Sequence, residues 1–527
     1  MTNCIPNRFV HMCVRLLLAV MTVVFLTVMT GCGDDATPDR GEIVLAAARD
    51  LVPGEKDPYY TSSILQVWEP LVALGDDGRP RPALAVSWSH DEDSRTWDFA
   101  LKRGVRFHDG EPFDAAAVLA NFDRWSVMGY KASPFYGTSL EKMYPSVRTW
   151  EALDEYTVRL HFDNPVPMLP YMMASWSSAV FSPKCLNPKN GDFVGVAQGT
   201  GPFRLVESVR NQYAVLERFD GYHGEKAKAE RIRVRVIPSP ETRFSALKAE
   251  EIMGVLDLGP LTPALATELL KDERFASSVN RTTITHYLTL RGDAGVFADE
   301  RMKRALSLAI DRRAIATNYF YGLVTPTMNL INGTSPFGRT VEPIYDPEKA
   351  AALVREATGG KRANVLFVIP QYGVERYPYK ETAEWIQAEL AAVGIDAELR
   401  IVDGTAYKIM MRDGRYDIAI HTRGLATMDP LKLLIEWMAN DERGTLNREQ
   451  HIGYRNERAQ KITEELEAFS TEETRAAGYR ELQDIALEHP VVIPLFEDTN
   501  IALHNKKISG FDPGIYGVTL SETGWAR

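Results

Sequence analysis

Residues able to do chemistry are plentiful in this chain, but their spacing assembles none of the common reaction centres. The ten histidines are scattered and none stands four residues from another, so no helix face offers the paired imidazoles of an H-E-x-x-H zinc site. There is no G-x-x-x-x-G-K-[ST] loop and no strand-borne G-x-G-x-x-G, so nothing cradles a nucleotide phosphate. No G-x-S-x-G elbow presents a serine. Asp and Glu number 71, yet abundance does not set two of them across a scissile bond. The four cysteines are Cys4, Cys13, Cys32 and Cys185, too dispersed for a Cys-based zinc site. No catalytic residue, metal site or cofactor is assigned, and an enzymatic activity is not expected.

The cysteines report on processing instead. Arg8 and Arg15 precede an apolar run from Leu16 to Met29. Its 14 residues are too few for a comfortable span but suit an export signal. Thr30-Gly31-Cys32 follows at once and resembles the lipobox of bacterial lipoproteins, with Met29 in place of the usual Leu. That resemblance implies removal of 1–31 and lipid on the Cys32 sulfur, followed by a small, polar tether over 32–41. Cys185 is then the one thiol left in the body, so no internal disulfide is available, and it reads as a buried, inert side chain.

The elements that must position any site are legible from periodicity. At 527 residues the chain has room for two to four globular units. Its 45% hydrophobic and 25% charged content excludes wholesale disorder. Lys+Arg 60 against Asp+Glu 71 gives a net charge of −11. Cleavage would lower the basic count to 58 and the net charge to −13, a balance that argues against nucleic acid as partner. Period-two runs at Trp97/Phe99/Leu101, Tyr156/Val158/Leu160/Phe162 and Ile232/Val234/Val236 predict half-buried strands. Helical faces fall at Val118/Leu119/Phe122/Trp125 behind a capping Asp114, at Met302/Ala305/Leu306/Ala309, and at Trp385/Ile386/Leu390/Val393 before Gly394. Strands and helices interleave, so the class is α/β or mixed α+β. Two extended runs, Thr282–Leu290 and Val491–Leu503, are the candidate junctions; if one domain is inserted into another, these crossings must lie side by side as two strands and form a hinge. Gly110 and Gly201 are expected in turns of positive φ.

Six segments taken in order resemble the extracytoplasmic solute-binding proteins of peptide/nickel ABC importers, solute-binding protein family 5. They are Ser87–Asp123 with R-G-V-x-F-x-D-G-x-P-F, Gln198–Val206 (QGTGPFRLV), Asn211–Arg243, Arg304–Arg312, Tyr345–Ala357 and Gly394-Ile395. The resemblance spans about residues 43–515. It implies an α/β, two-lobe periplasmic-binding-protein fold, type II-like and of cluster C. Lobe I would hold 42–284 and a return at 498–527, with an extra subdomain near 80–200; lobe II would hold 285–497. It also implies a monomeric receptor, anchored by lipid outside the cytoplasm, that closes on a small solute and hands it to a permease driven by an ATPase. A secreted hydrolase and a sensor signalling to a membrane partner are the alternatives.

The resemblance leaves the solute open between a peptide, a nickel or other metal chelate, and a peptide-like acid. Where peptide binders of the family place an Asp before an Asp-Pro pair, this chain has Ala426 before Asp429-Pro430. Where nickel-chelate binders place an Arg in lobe I and a Trp near Gly424, residues 174–180 read ASWSSAV and no Trp stands by Gly424. Candidate contacts are Arg423, whose planar fork suits a carboxylate or phosphonate, Trp176 for stacking, Tyr407 facing the cleft, His451 for a metal held through a chelate, and Tyr130 with Lys131 in a loop over the cleft.

Overall fold

Side-chain alternation sets the first two sheets. In the computed structural model the described residues are 41–48, 66–128, 140–174, 178–257, 261–425, 427–468, 470–515 and 517–526. The expected export signal, Cys32 and nearly all of the expected tether lie outside them. The chain divides into Met1–Glu42 and Ile43–Arg527, and the second unit carries everything below.

Strand β1 (Glu42–Ala47) starts one sheet. The chain then leaves to build a second sheet from β2 (Ala85–His90), β3 (Thr96–Leu101), β4 (Val147–Asp154) and β5 (Thr157–Phe162), in the order β2-β3-β5-β4. Trp97, Phe99 and Leu101 on β3 and Val158, Leu160 and Phe162 on β5 point to one buried face, as their period requires. Helix α1 (Ala115–Met128) covers that face with Val118, Phe122 and Trp125. Asp114 caps it, accepting the Ala117 amide at 2.9 Å. The chain returns through β6 (Phe203–Val209), β7 (Tyr213–Arg218) and β8 (Arg231–Val236), which complete the first sheet in the order β1-β8-β7-β6. Gly110 has φ +86 as expected. Gly201 does not have positive φ; a Cβ there would stand 2.2 Å from the Gln66 carbonyl oxygen, so close backbone approach is what excludes a side chain.

A six-stranded sheet forms the other lobe. Its strands are β9 (Phe275–Leu290), β10 (Thr325–Pro326), β11 (Ala363–Pro370), β12 (Ile395–Val402), β13 (Ile418–Gly424) and β14 (Ile493–Asn505), ordered β10-β14-β9-β13-β11-β12. The two extended runs of the sequence are the long strands β9 and β14, paired antiparallel. Each passes from one hydrophobic core to another. Phe275, Ile501 and Leu503 pack with Ala46 and Ile237, whereas Leu288, Ile493 and Leu495 pack with Phe367 and Ile418. The register between the strands breaks between Arg281 and Thr285, where the pair leaves one core for the other. The result is a two-lobe α/β fold threaded by two strands.

Within the six-stranded sheet, β11 is flanked by β12 and β13, parallel to both. The chain leaves β11 through α2 (Gln371–Arg376) and α3 (Tyr379–Ala392) to reach β12. It then crosses back over β11 through α4 (Gly404–Arg412) to reach β13. Helix α3 buries Tyr379, Ala383, Ile386 and Leu390 on one face of the sheet; α4 buries Tyr407, Met410 and Met411 on the other. Between β11 and β13 the winding therefore changes direction, the place where open α/β sheets leave a crevice at their carboxyl ends.

Candidate functional site

The residues at those carboxyl ends are Tyr372, in the first turn of α2, and Arg423, next to last on β13. Tyr407 stands beside them on α4. The Asp403 carboxylate caps that helix, accepting the Thr405 and Ala406 amides at 2.8 and 2.9 Å. The Tyr407 side chain is buried and its hydroxyl donates to the Ile420 carbonyl at 3.0 Å, so its ring is a fixed wall and its phenol is spent inside the lobe. Tyr372 meets it edge-on, ring centroids 6.3 Å apart at 84°. Tyr372 is 48% exposed, and burial still pushes its phenol upward against the opposing pull of Arg423.

Arg423 is half-buried. Its Nε is shut off from solvent and has no hydrogen-bond partner. Directly across the ladder stands Thr285, and across Thr285 stands Glu497, so Glu497, Thr285 and Arg423 cross three strands on one face. Glu497 is already engaged: it accepts the Gly333 amide at 2.9 Å, and Arg281 partly offsets the burial that raises its carboxyl. Thr285 accepts from the Asn332 side-chain amide at 2.8 Å. His421 is buried against Thr289, and burial, then the Arg423 charge, pull its imidazole down to about 3. It is neutral and adds no second cation.

The opposite face holds a cluster that the sequence reading passed over. His286 lies fully buried in the run TTITHYLTL, which reads only as an extended β-branched stretch. Its Nδ1 is 2.7 Å from the Tyr379 hydroxyl and its Nε2 is 3.9 Å from Asp498. The Tyr377 hydroxyl donates to Asp498 at 3.1 Å. Burial raises the Asp498 carboxyl, but His286 and Arg376 outweigh it and the net direction is down. Arg376 in turn feels Asp257, which belongs to the other lobe and accepts the Ala48 amide. No sequence motif marks this cluster, because its contacts join distant segments: His286 and Tyr379 are 93 residues apart, and Tyr377 and Asp498 are 121.

His451 lies elsewhere. Its Nδ1 is 2.6 Å from Asp293 and its Nε2 is 2.9 Å from the Arg412 carbonyl, so both ring nitrogens are occupied. The Gly292 amide donates to the His451 carbonyl and the Arg291 amide to the Asp417 carbonyl, which puts His451 at the amino end of β13, roughly 20 Å along the strand from Arg423. The structure thus brings Tyr407 and Arg423 together and keeps His451 apart from them. Tyr130, Lys131, Trp176 and Ala426 lie outside the described residues. Asp429, the first member of the Asp-Pro landmark, is buried, accepting from Arg475 Nε at 2.9 Å, from the Tyr479 hydroxyl and from the Leu431 amide. Cys185 is buried and unpaired, its thiol pushed up to about 11 by burial. Among the described residues no three of His, Cys, Asp and Glu are grouped to hold a metal ion.

Comparison with known proteins places this geometry. Residues 79–445 match the model of the bacterial extracellular solute-binding proteins, family 5 (middle region). The nickel-binding periplasmic protein of Escherichia coli K12 is 28% identical over 383 residues, 69% of this chain and 71% of that one. A glutathione-binding protein GsiB of Salmonella paratyphi A is 24% identical over 475 residues, 86% of this chain and 89% of the relative. Among solved structures, NikA of Brucella suis in complex with Fe(III)-EDTA superposes with a TM-score of 0.79 at 24% identity, covering 92% of this chain and all of that one. The periplasmic binding protein DppA of Helicobacter pylori in complex with the peptide STSA gives 0.70 at 22%, covering 93% of this chain and 99% of that one.

Proposed function

Because the chain belongs to the family 5 bacterial extracellular solute-binding proteins, we propose that it is the lipid-anchored solute receptor of an ABC importer. It captures a peptide, a metal chelate or a peptide-like acid between its lobes and delivers it to a membrane permease. It works outside the cytoplasm, as the family description says. Lobe I comprises 42–284 and 498–527, with its subdomain near 80–200, and lobe II comprises 285–497. The register break between Arg281 and Thr285 supports that boundary, since a ladder without continuous bonds is the soft point at which two cores rotate. The anchor reading is supported by Cys32 directly behind the apolar run.

The observation that carries the reading is the placement of Arg423 and Tyr372 at the carboxyl ends of β13 and β11, beside the strands that join the lobes. A solute touching both lobes stabilises the closed form, and the shift equals its differential affinity for closed over open.

The test is a thermal-shift series on protein stripped of ligand by unfolding and refolding. The panel is short peptides, glutathione, free Ni²⁺, and Ni²⁺ with histidine or carboxylate chelators. A ligand at 100 times its Kd adds about 2.7 kcal/mol of stability, a clear rise in midpoint. A rise with chelated but not free nickel identifies a chelate receptor; a rise with peptides identifies a peptide receptor. Turnover of any panel member would sink the receptor reading in favour of a hydrolase.

A further inference from the structure

We infer that the solute presents a carboxylate to Arg423, so that this receptor takes an organic anion; the inference rests on the receptor reading above. The ground is a charge imbalance at one place. A half-buried guanidinium with a desolvated Nε and no acceptor is costly, and the protein supplies no acid to it among the described residues. The carboxylate nearest in register, Glu497, is turned to Gly333 and Arg281. The hydroxyl between them, Thr285, already accepts from Asn332. Tyr407, the neighbouring hydroxyl, donates into its own lobe.

The acids around the crossing strands are committed as well. Asp498 accepts from Tyr377 beside His286, Asp257 accepts the Ala48 amide, and Asp429 is held by Arg475 and Tyr479. A protonated amine entering here would find its acceptors spent, whereas an anion would find a donor waiting. The two terminal nitrogens of Arg423 form the flat edge that a planar carboxylate meets with two parallel bonds. The exposed ring of Tyr372, on the same rim, gives the rest of such a solute an apolar surface to lie on. One group then gives the Arg423 guanidinium the acid that the described residues do not supply.

The test uses the protein as its host exports it, extracted in detergent, with a small-molecule extract of spent growth medium as probe. The extract is split on an anion exchanger at pH 8, and part of the retained fraction is methyl-esterified, which neutralises carboxylates and leaves phosphonates charged. The expected result is that the retained fraction raises the wild-type midpoint and esterification abolishes the rise. Arg423→Gln should weaken binding by about 30-fold or more, Arg423→Lys should recover part of it, and Arg400→Gln should bind as wild type. The unliganded midpoint of each variant reports its folding, and the lysine variant keeps the test intact if the glutamine variant does not fold. Activity in the unretained fraction, or unchanged binding by Arg423→Gln, overturns the anion assignment and leaves the receptor standing. A rise that survives esterification replaces carboxylate by a phosphorus oxyanion and overturns the inference as stated. If no fraction shifts the wild type, the receptor reading itself fails and this inference with it.

Discussion

Strand β13 carries arginines around both of its ends, and the two ends differ in what faces them. At the amino end a recess of about 330 Å³ is lined by Arg291, Arg400 and Arg415. Each has an acid in reach: Arg291 with Asp293 at 3.3 Å, Arg400 with Glu398 at 2.5 Å and Arg415 with Asp413 at 3.3 Å. At the carboxyl end Arg423 is more enclosed and has no ion pair among the described residues. A recess whose cations are already paired in water has little to offer a ligand, since surface pairs are weak and screened. A half-buried cation without an acceptor holds free energy that a ligand can release. Charge balance, not the recess, is what separates the two ends.

That contrast can be broken or sharpened by mutation. The strongest effect is expected where a cation of the same lobe is both buried and fully paired. Helix α5 (Leu431–Met438) starts just behind Asp429, and α6 (Glu472–Glu488) brings Arg475 and Tyr479 to it. Arg475→Met should lower unfolding stability by about 3–5 kcal/mol, because it strands a buried carboxylate; a loss under 1 kcal/mol in urea titration would show that the pair is not needed.

Arg423→Met should do the opposite in the unliganded protein, raising stability by about 1 kcal/mol as an unsatisfied donor disappears. A stabilised protein that has lost its ligand is the signature of a binding residue; one destabilised as much as Arg475→Met would make Arg423 part of the scaffold.

At the amino end, His451 tests a paired group by pH. Its hydrogen bond to Asp293 raises the imidazole above its usual value, against a smaller opposing effect of burial. The contact's contribution is therefore fully present below about pH 6.5 and is lost as pH rises through the raised folded value. The stability difference between wild type and His451→Gln should be at most about 1 kcal/mol, larger at pH 5.5 than at pH 8.5. A difference that grows with pH would reverse the assignment.

The smallest effects belong to Arg291→Gln, Arg400→Gln and Arg415→Gln, each expected to leave ligand affinity unchanged and the midpoint within about 1 °C. Loss of binding in any of them would move the site to the other end of the strand.

Much of the scaffold was legible before any coordinates. The alternation at Trp97/Phe99/Leu101 and the cap at Asp114 are local, and each became the element its spacing implied. The runs at Thr282–Leu290 and Val491–Leu503 were visible as crossings because a β-branched, extended stretch stands out against helical neighbours. Gly201 was misread, since a close approach by Gln66 is a contact between distant segments and leaves no local trace. His286 was hidden for the same reason: a histidine in a threonine-rich strand has no periodicity to betray it. Of the candidate contacts, Arg423 and Tyr407 stand near one another, whereas His451 sits at the far end of β13.

The sequence by itself determined the family and local elements such as β3 and the capped α1, and it carries none of the familiar catalytic motifs, because each of these is written in residue type and short-range spacing. Only the tertiary structure decided which arginine lacks an acid, which carboxylates are already spent, and where β9 and β14 lose their register. Some partners are two residues away and others, such as Tyr377 and Asp498, are 121 apart; the latter, and a partner's absence, are properties of the fold.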